Sequence, residues 1–335
     1  MAGERIFSKH QWGIETTRGT PVAATRIIGA DIGEIPLDRE WQGVRLADGR
    51  RAQYNAKRYD LLRVNGVLSF SNLYFQALPG ILQCSLDGDI TPAEQTSSQQ
   101  DYKWDIAPSM AAANAPDSLT LEMGDDTQAY EVEYCMFDSI RISAEIPADG
   151  LAPVKGEFKY FGRQLTPTTF TTSQSLHSGL ELINAKLTRL YSDTAWAGIG
   201  GTELSSLLRG FELEILPGIH PKNFGSANRY FDSYGESKIG VLLTLDLEGG
   251  SSADAIFDLY QAGTDRAIRL ALNGSQIGSG VNYKAQFDMF GFFQAVRPLS
   301  REVDGNNIHR ALFVGKADST GNFLDIDVIT NHNTV

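Results

Sequence analysis

The sequence predicts a mainly β protein built from two tandem domains of β-sandwich or barrel type, each with one short flanking α-helix. Three observations carry that expectation. Thirty-three glycines in 335 residues supply the tight turns that a β-rich chain needs and a helical bundle does not. Apolar and polar residues alternate through a dozen segments rich in β-branched and aromatic side chains. The two halves also repeat one order of parts, strand, polar loop, long strand, helix, over roughly 150 residues each.

The first-half strands are expected at 25–36, 60–70, 118–123, 129–146 and 153–165. In the second half they fall at 180–191, 207–216, 238–248, 266–273, 281–296, 309–317 and 323–329. A first helix is expected over Ser71 to Gln83, bent or ended in its first part by Pro79. A second runs from Ser251, as the cap, to Ala262, with Gly263 closing it. The halves align as TRIIGADIGEI with LLRGFELEIL, then YDLLRVNGVLSF with KIGVLLTLDLE, then the two helices. The boundary falls in the Ser/Thr-rich stretch 166–175, giving domains 1–172 and 173–335, the first with a long insert around 84–116.

Composition narrows function by exclusion. Lys and Arg number 29 against 41 Asp and Glu, a formal charge of −12, which argues against a surface that grips phosphates by counterion release. Two cysteines, Cys84 and Cys135, make no disulfide framework and no zinc spacing. No N-terminal apolar run suggests a signal peptide, and no segment reaches the ~20 apolar residues of a membrane helix. Paired carboxylates at Asp87 and Asp89, Asp125 and Asp126, and Glu131 and Glu133 read as turn chemistry and a solvated strand face. His10, His177, His220, His309 and His332 are scattered through loops and near the ends. The glycine runs 198–201 and 273–280 lack the lysine and the strand-to-helix setting of a phosphate cradle. No catalytic residue, metal ligand or cofactor is expected, and the chain is not read as an enzyme.

The polar loops occupy matching places in the repeat. The first, 37–58, is basic within an acidic protein and carries Trp41, Arg45, Arg50, Arg51, Tyr54 and Arg58. The second, 217–237, carries Phe224, Tyr230, Phe231 and Tyr234 among Gly, Ser and Asn. Loops of this length inside compact domains are uncommon without a function, and basic loops suit the acidic surface of another copy.

The chain resembles the tail tube, or major tail, proteins of long-tailed bacteriophages, in the form with two tandem tube domains. The residues that carry the likeness are GIETTRGTPVAAT, FELEILPGIHPKNFGSANRYFDSYGESKIGVLLTLDLE with its following helix, and FDSIRISAEIPADGLAPVKGEFKYFGRQL. The resemblance implies a structural virion protein assembled in the host cytoplasm, whose copies form stacked rings around a lumen through which genomic DNA passes unbound. Two domains per chain imply a homotrimeric, pseudo-hexameric ring, with a homohexamer as the alternative. A tape measure protein and a tail terminator are the further partners it implies, and no membrane. The ten loop residues would lie at inter-subunit and inter-ring contacts, and an acidic lumen would repel DNA. Rival readings are a decoration or distal tail protein, a secretion-tube component, or a carbohydrate-binding or glycoside-cleaving β-protein built on Asp125, Asp126 and Tyr/Trp platforms.

Overall fold

The computed structural model describes residues 5–34, 38–47, 53–54, 56–88, 90–147 and 149–335, with the backbone only at 5, 38–42 and 58–62. The fold is mainly β. The first half contains β1 (Lys9–Ile14), β2 (Arg26–Ile28), β3 (Asp38–Val44), β4 (Ala56–Phe70), helix α1 (Leu78–Gln83), β5 (Ala93–Glu94), β6 (Tyr102–Ile106), β7 (Leu119–Gly124), β8 (Ala129–Glu145), β9 (Lys155–Gly162) and β10 (Gln164–Thr168). The second contains β11 (Thr188–Asp193), β12 (Leu208–Leu216), β13 (His220–Lys222), β14 (Ser233–Gly235), β15 (Gly240–Glu248), helix α2 (Ser251–Ala262), β16 (Asp265–Gln276), β17 (Asn282–Val303), β18 (Asn306–Gly315) and β19 (Leu324–Thr330).

All strand pairings are antiparallel, and the two halves share one pairing scheme. In the first, β7 and β10 flank the start of β8, while β9 pairs with its end and β4 with β9. In the second, β16 and β19 flank the start of β17, while β18 pairs with its end and β15 with β18. The outer strands correspond as well, β1 beside β7 and β11 beside β16. Each long strand is thus shared between two sheets, and each has a register shift where it passes from one to the other. The shift lies between Phe137 and Ser139 in β8 and between Phe293 and Ala295 in β17. Such a bulge bends the strand and sharpens its twist, which lets one strand leave one sheet and enter another. The same aromatic pair packs edge to face beside both bulges, Phe137 with Tyr160 at 6.2 Å and Phe293 with Phe313 at 5.5 Å.

The halves are joined by more than the linker. β12 of the second half pairs with β8 of the first, from Gly210 opposite Glu145 to Ile215 opposite Ile140. The result is a continuous sheet β4-β9-β8-β12-β15-β18-β17. Its inner face is apolar: Phe158, Ile140, Ile142, Leu213, Ile215, Leu243, Leu245 and Phe313 are buried in one cluster that spans both halves. The first-half insert also crosses over, because β6 pairs with β19.

Several elements differ from the sequence expectation for identifiable reasons. Pro79 opens α1 instead of bending a longer helix, since the first helical turn needs no proline N–H, and Phe75–Ala77 form a 3-10 turn before it. Helix α2 has the expected span, yet its cap is Gly250 with no side-chain hydrogen bond, and Ser251 is its first residue. Gly263 closes it in the left-handed region at φ 61°. Strand β1 escaped notice because its centre is polar. Gln11, fully buried, donates to the Glu122 carboxylate at 2.6 Å and the Thr171 carbonyl at 2.9 Å. The loop expected at 37–58 contains β3, which pairs with β4 from Asp38 opposite Arg63 to Val44 opposite Ala56, forming a hairpin arm. Of the strand expected over 25–36, Arg26–Ile28 is strand and 31–34 is not.

Phe158, fully buried, contacts Phe70 and Phe137 edge to face where β9 joins β8. Phe158→Ala is expected to lower unfolding free energy by about 3–5 kcal/mol, measured by urea denaturation. A loss under 1 kcal/mol would contradict the assigned core.

Candidate functional site: an assembly surface

The outer face of the continuous sheet is polar and held by ion pairs of both signs. On β8, Arg141 bonds Glu157 of β9 at 3.1 Å and Glu212 of β12 at 2.7 Å. On β15, the buried Asp246 carboxylate receives two guanidinium groups, Arg310 at 2.8 and 3.0 Å and Arg301 at 2.7 Å. Arg301 also reaches Glu145 at 3.2 Å, tying the far end of β17 to the end of β8 across the intervening strands. Side-chain hydrogen bonding to Asp246 raises the Arg310 pKa further. The face curves around an open cleft of about 660 Å³ bordered by Glu145, Leu151, Lys155, Glu212 and Arg297. On this face acids and bases alternate and pair.

The loop residues divide sharply. Phe231 is 1% exposed. It packs on Tyr134 at 5.0 Å and Phe161 at 5.4 Å, with Met136 and Ile219 completing a small second core. It is therefore an intramolecular anchor, turned away from any contact with another copy. Arg163 covers that core, lying 4.6 Å over Tyr134 and 5.5 Å over Tyr230, and donates to the Asp232 carbonyl at 3.4 Å. Tyr234, half-buried, lies under Arg18 at 5.5 Å. The 217–237 loop is thus a short hairpin, β13 with β14, docked on β8 and β9 of the other half. Phe224, 65% exposed, is the member of the group left at the surface.

In the first loop, Arg45 is exposed and Tyr54 is 49% exposed. The Tyr54 ring lies so close over Gly43 that a Cβ there would meet it at 2.6 Å. The backbones of Trp41 and Arg58 belong to the arm, the two residues lying in β3 and β4, and their side chains fall outside the described residues. Arg50 and Arg51 lie outside the described residues altogether.

Of the candidate catalytic carboxylates, Glu131 lies near Glu122, Glu133 and Glu15, and burial with their charges raises its pKa. Asp125 accepts the Thr127 and Gln128 amides in its own turn, and these bonds hold its pKa down. Asp89 lies outside the described residues. A different acidic group escaped the sequence reading because its members are far apart in the chain. Asp105 of β6 and Asp325 and Asp327 of β19 bring their carboxylates within 4.8 Å of one another. Lys103 occupies part of this cluster, 2.7 Å from Asp327 and 3.4 Å from Asp105. Burial, with the charges of Asp327, Asp105 and Asp288, raises the Asp325 pKa to about 6. Three histidines expected in loops or near ends are buried, His10, His177 and His309. Both thiols are free and buried. No helix is long and apolar enough to cross a membrane.

What remains for function is two open sheet edges. Along β8 both edges are covered, by β9 and by β12. Along the corresponding part of β17, 296–301, β18 covers one edge with a register break between Arg297 and Arg301, helix α2 packs against β17, and no described strand pairs with the other edge. In the repeat, the position of β12 falls to the segment before β3. There Asp31 donates its amide to the Ser69 carbonyl of β4 at 2.7 Å, and the outer edge of 31–34 and β3 is likewise uncovered among the described residues. Two edges at opposite ends of one sheet are thus left without a paired strand among the described residues. No family model matches the chain, and no curated protein matches it.

Two outcomes follow. Phe231→Ala is expected to destabilise the folded chain by about 3 kcal/mol, while Phe224→Ala leaves the denaturation midpoint unchanged; equal effects would reverse the assignment. Because folding raises the Asp325 pKa, its contribution is present below the ordinary carboxylate range and is lost as pH rises through about 6. Asp325→Asn should thus gain stability relative to the parent as pH rises from about 4 to about 6 and keep that gain above, read from urea midpoints, and coincident pH profiles would exclude the effect.

Proposed function

We propose that this chain is a structural virion subunit that polymerises head to tail into rings, three chains forming a pseudo-hexamer, and that the stacked rings form the hollow tail tube of a long-tailed bacteriophage. DNA passes through the lumen without specific binding, and the partners are further copies of the chain together with the proteins that set tube length and close its end. The observation that carries the reading is the internal β8–β12 junction together with the two uncovered edges that match it. An interface between unlike edges is heterologous, and it closes into a ring when the rotation between units divides a full turn. A ring also removes the edges, which otherwise invite uncontrolled pairing. The paired charges of the outer face suit a wall along which a polyanion slides, since guanidinium groups engaged by carboxylates offer phosphates little purchase.

The arm of β3 and β4 is the element we assign to contacts beyond the ring plane. Its counterpart, the 217–237 hairpin, docks on the neighbouring half of the same chain, and β3 pairs with β4 alone among the described residues.

Negative-stain electron microscopy of the purified chain at rising concentration and after mild heating is the direct test. Rings or hollow tubes with three-fold or six-fold end views are expected, and a monomer under all conditions overturns the proposal. Deleting residues 45–54 should leave a folded chain that forms rings and no longer stacks; tubes of normal length from that deletion would remove the arm from the stacking contact.

A further inference from the structure

The halves are also tied together away from the β8–β12 seam. Residues 331–335 follow β19 and meet the linker that joins the halves. The Asn331 side-chain amide and the His332 ring Nε2 both reach the Ser178 carbonyl, at 3.1 and 2.9 Å. Gln76, in the 3-10 turn before α1, donates to the Asn331 side chain and to the Gly179 carbonyl, both at 2.9 Å. Three residues earlier in the linker, the Ser175 carbonyl accepts the Ile27 amide of β2 at 3.1 Å. Leu176 lies so near β2 that a Cβ on Gly29 would meet it at 3.6 Å. Linker, β2 and the segment after β19 thus hold one another through a few short contacts.

His177 lies at the centre of them. It is 7% exposed, and neither ring nitrogen has a hydrogen-bond partner among the described residues. Its ring sits 4.5 Å from that of His332, inclined by 47°. The charged groups that act on it are His332, from the segment after β19, and Arg26, from β2, both basic. No carboxylate is among them, so a proton added to His177 finds no acceptor and stands near a guanidinium. A buried, unpaired cation is among the most costly groups a fold can hold; such a group stays neutral or the site opens. Burial, with the charges of His332 and Arg26, accordingly pushes the His177 pKa down to about 4.

We propose that His177 is an acid-released latch: protonation drives its ring away from His332 and frees linker residues 173–178 from segment 331–335 and from β2. The latched ring takes up a proton only near pH 4, whereas the released ring does so at the ordinary 6.5. Between those values each unit of acidification moves the balance toward the open form by up to about tenfold, and outside them pH has no further effect through this group. Every contact of the latch lies within one chain, so it does not depend on the ring reading above.

Hydrogen exchange of the full chain, read by mass spectrometry and corrected for the intrinsic rate at each pH, is the test. The Ile27 amide is one reporter, because it bonds the Ser175 carbonyl, and the His332 amide, which donates to the Thr330 hydroxyl, is the other. Peptides covering 25–30 and 330–335 should lose protection by up to about tenfold per pH unit below about 6.5, while peptides from β8 keep theirs. His177→Phe should hold that protection level across the same range. His177→Leu serves the same purpose if the larger ring does not fit, with thermal melting at neutral pH as the folding control for both. If neither variant folds, an NMR titration of the His177 ring in the parent decides, since its midpoint must coincide with the loss of protection. Parent protection that stays level with pH, an equal loss in a variant that melts normally, or a ring midpoint apart from the loss overturns the latch.

Discussion

A β-strand has two edges, and each carries amide and carbonyl groups that must be paired or hydrated. The β8–β12 pairing settles that requirement at the centre of this chain, and the rest of the architecture depends on it. Without it the halves would present separate sheets and separate cores. With it the apolar faces of β9, β8, β12, β15 and β18 become one surface, and the core beneath them runs unbroken from Phe158 to Phe313. The outer surface becomes equally continuous, which is why Arg301 at the end of β17 can hold both Asp246 and Glu145.

The second constraint is that β8 and β17 must each serve two sheets. A straight strand cannot turn from one layer into another, so each bends at a bulge, and the aromatic pair beside it fills the space the bend opens. Phe137 with Tyr160 and Phe293 with Phe313 are among the clearest surviving marks of the duplication, retained where geometry leaves little choice. Elsewhere the halves have diverged. The arm of the first half extends from the sheet, while the corresponding hairpin of the second is pinned by Phe231 and covered by Arg163.

The fold class, the repeat and most long strands were legible because alternation of apolar and polar residues is a local signal, strong wherever one sheet face is buried. The missed strands broke that signal. β1 carries a buried glutamine whose amide nitrogen bonds a distant glutamate, and β6 lies in a polar insert whose partner, β19, is more than two hundred residues away. The loop residues show the limit most plainly. Composition grouped Phe224, Tyr230, Phe231 and Tyr234 as one contact surface, and burial separates them, because which aromatic points inward depends on what β8 and β9 place beneath the hairpin. A net of −12 likewise says nothing of where the acids lie, and on the sheet face Arg141 joins Glu157 and Glu212 while Asp246 receives both Arg301 and Arg310.

Segment 31–34 brings these points together. Its sequence alternates as β12 does, and it lies beside β4 as β12 lies beside β15, yet it is not a strand. The difference is the second neighbour. β12 is held on both edges, by β15 and by β8, whereas 31–34 is tied to β4 by the Asp31 amide and pairs with no second strand among the described residues. Strand geometry in a short segment is sustained by its cross-strand partners more than by intrinsic preference. Under the proposed assembly, one seam per chain therefore forms during folding, where the covalent linker keeps the local concentration of its two edges high. The other waits for a second copy. The internal seam then presents the curvature and spacing of the ring before any ring exists, so that association orders a few residues on an existing template instead of building an interface from two flexible edges.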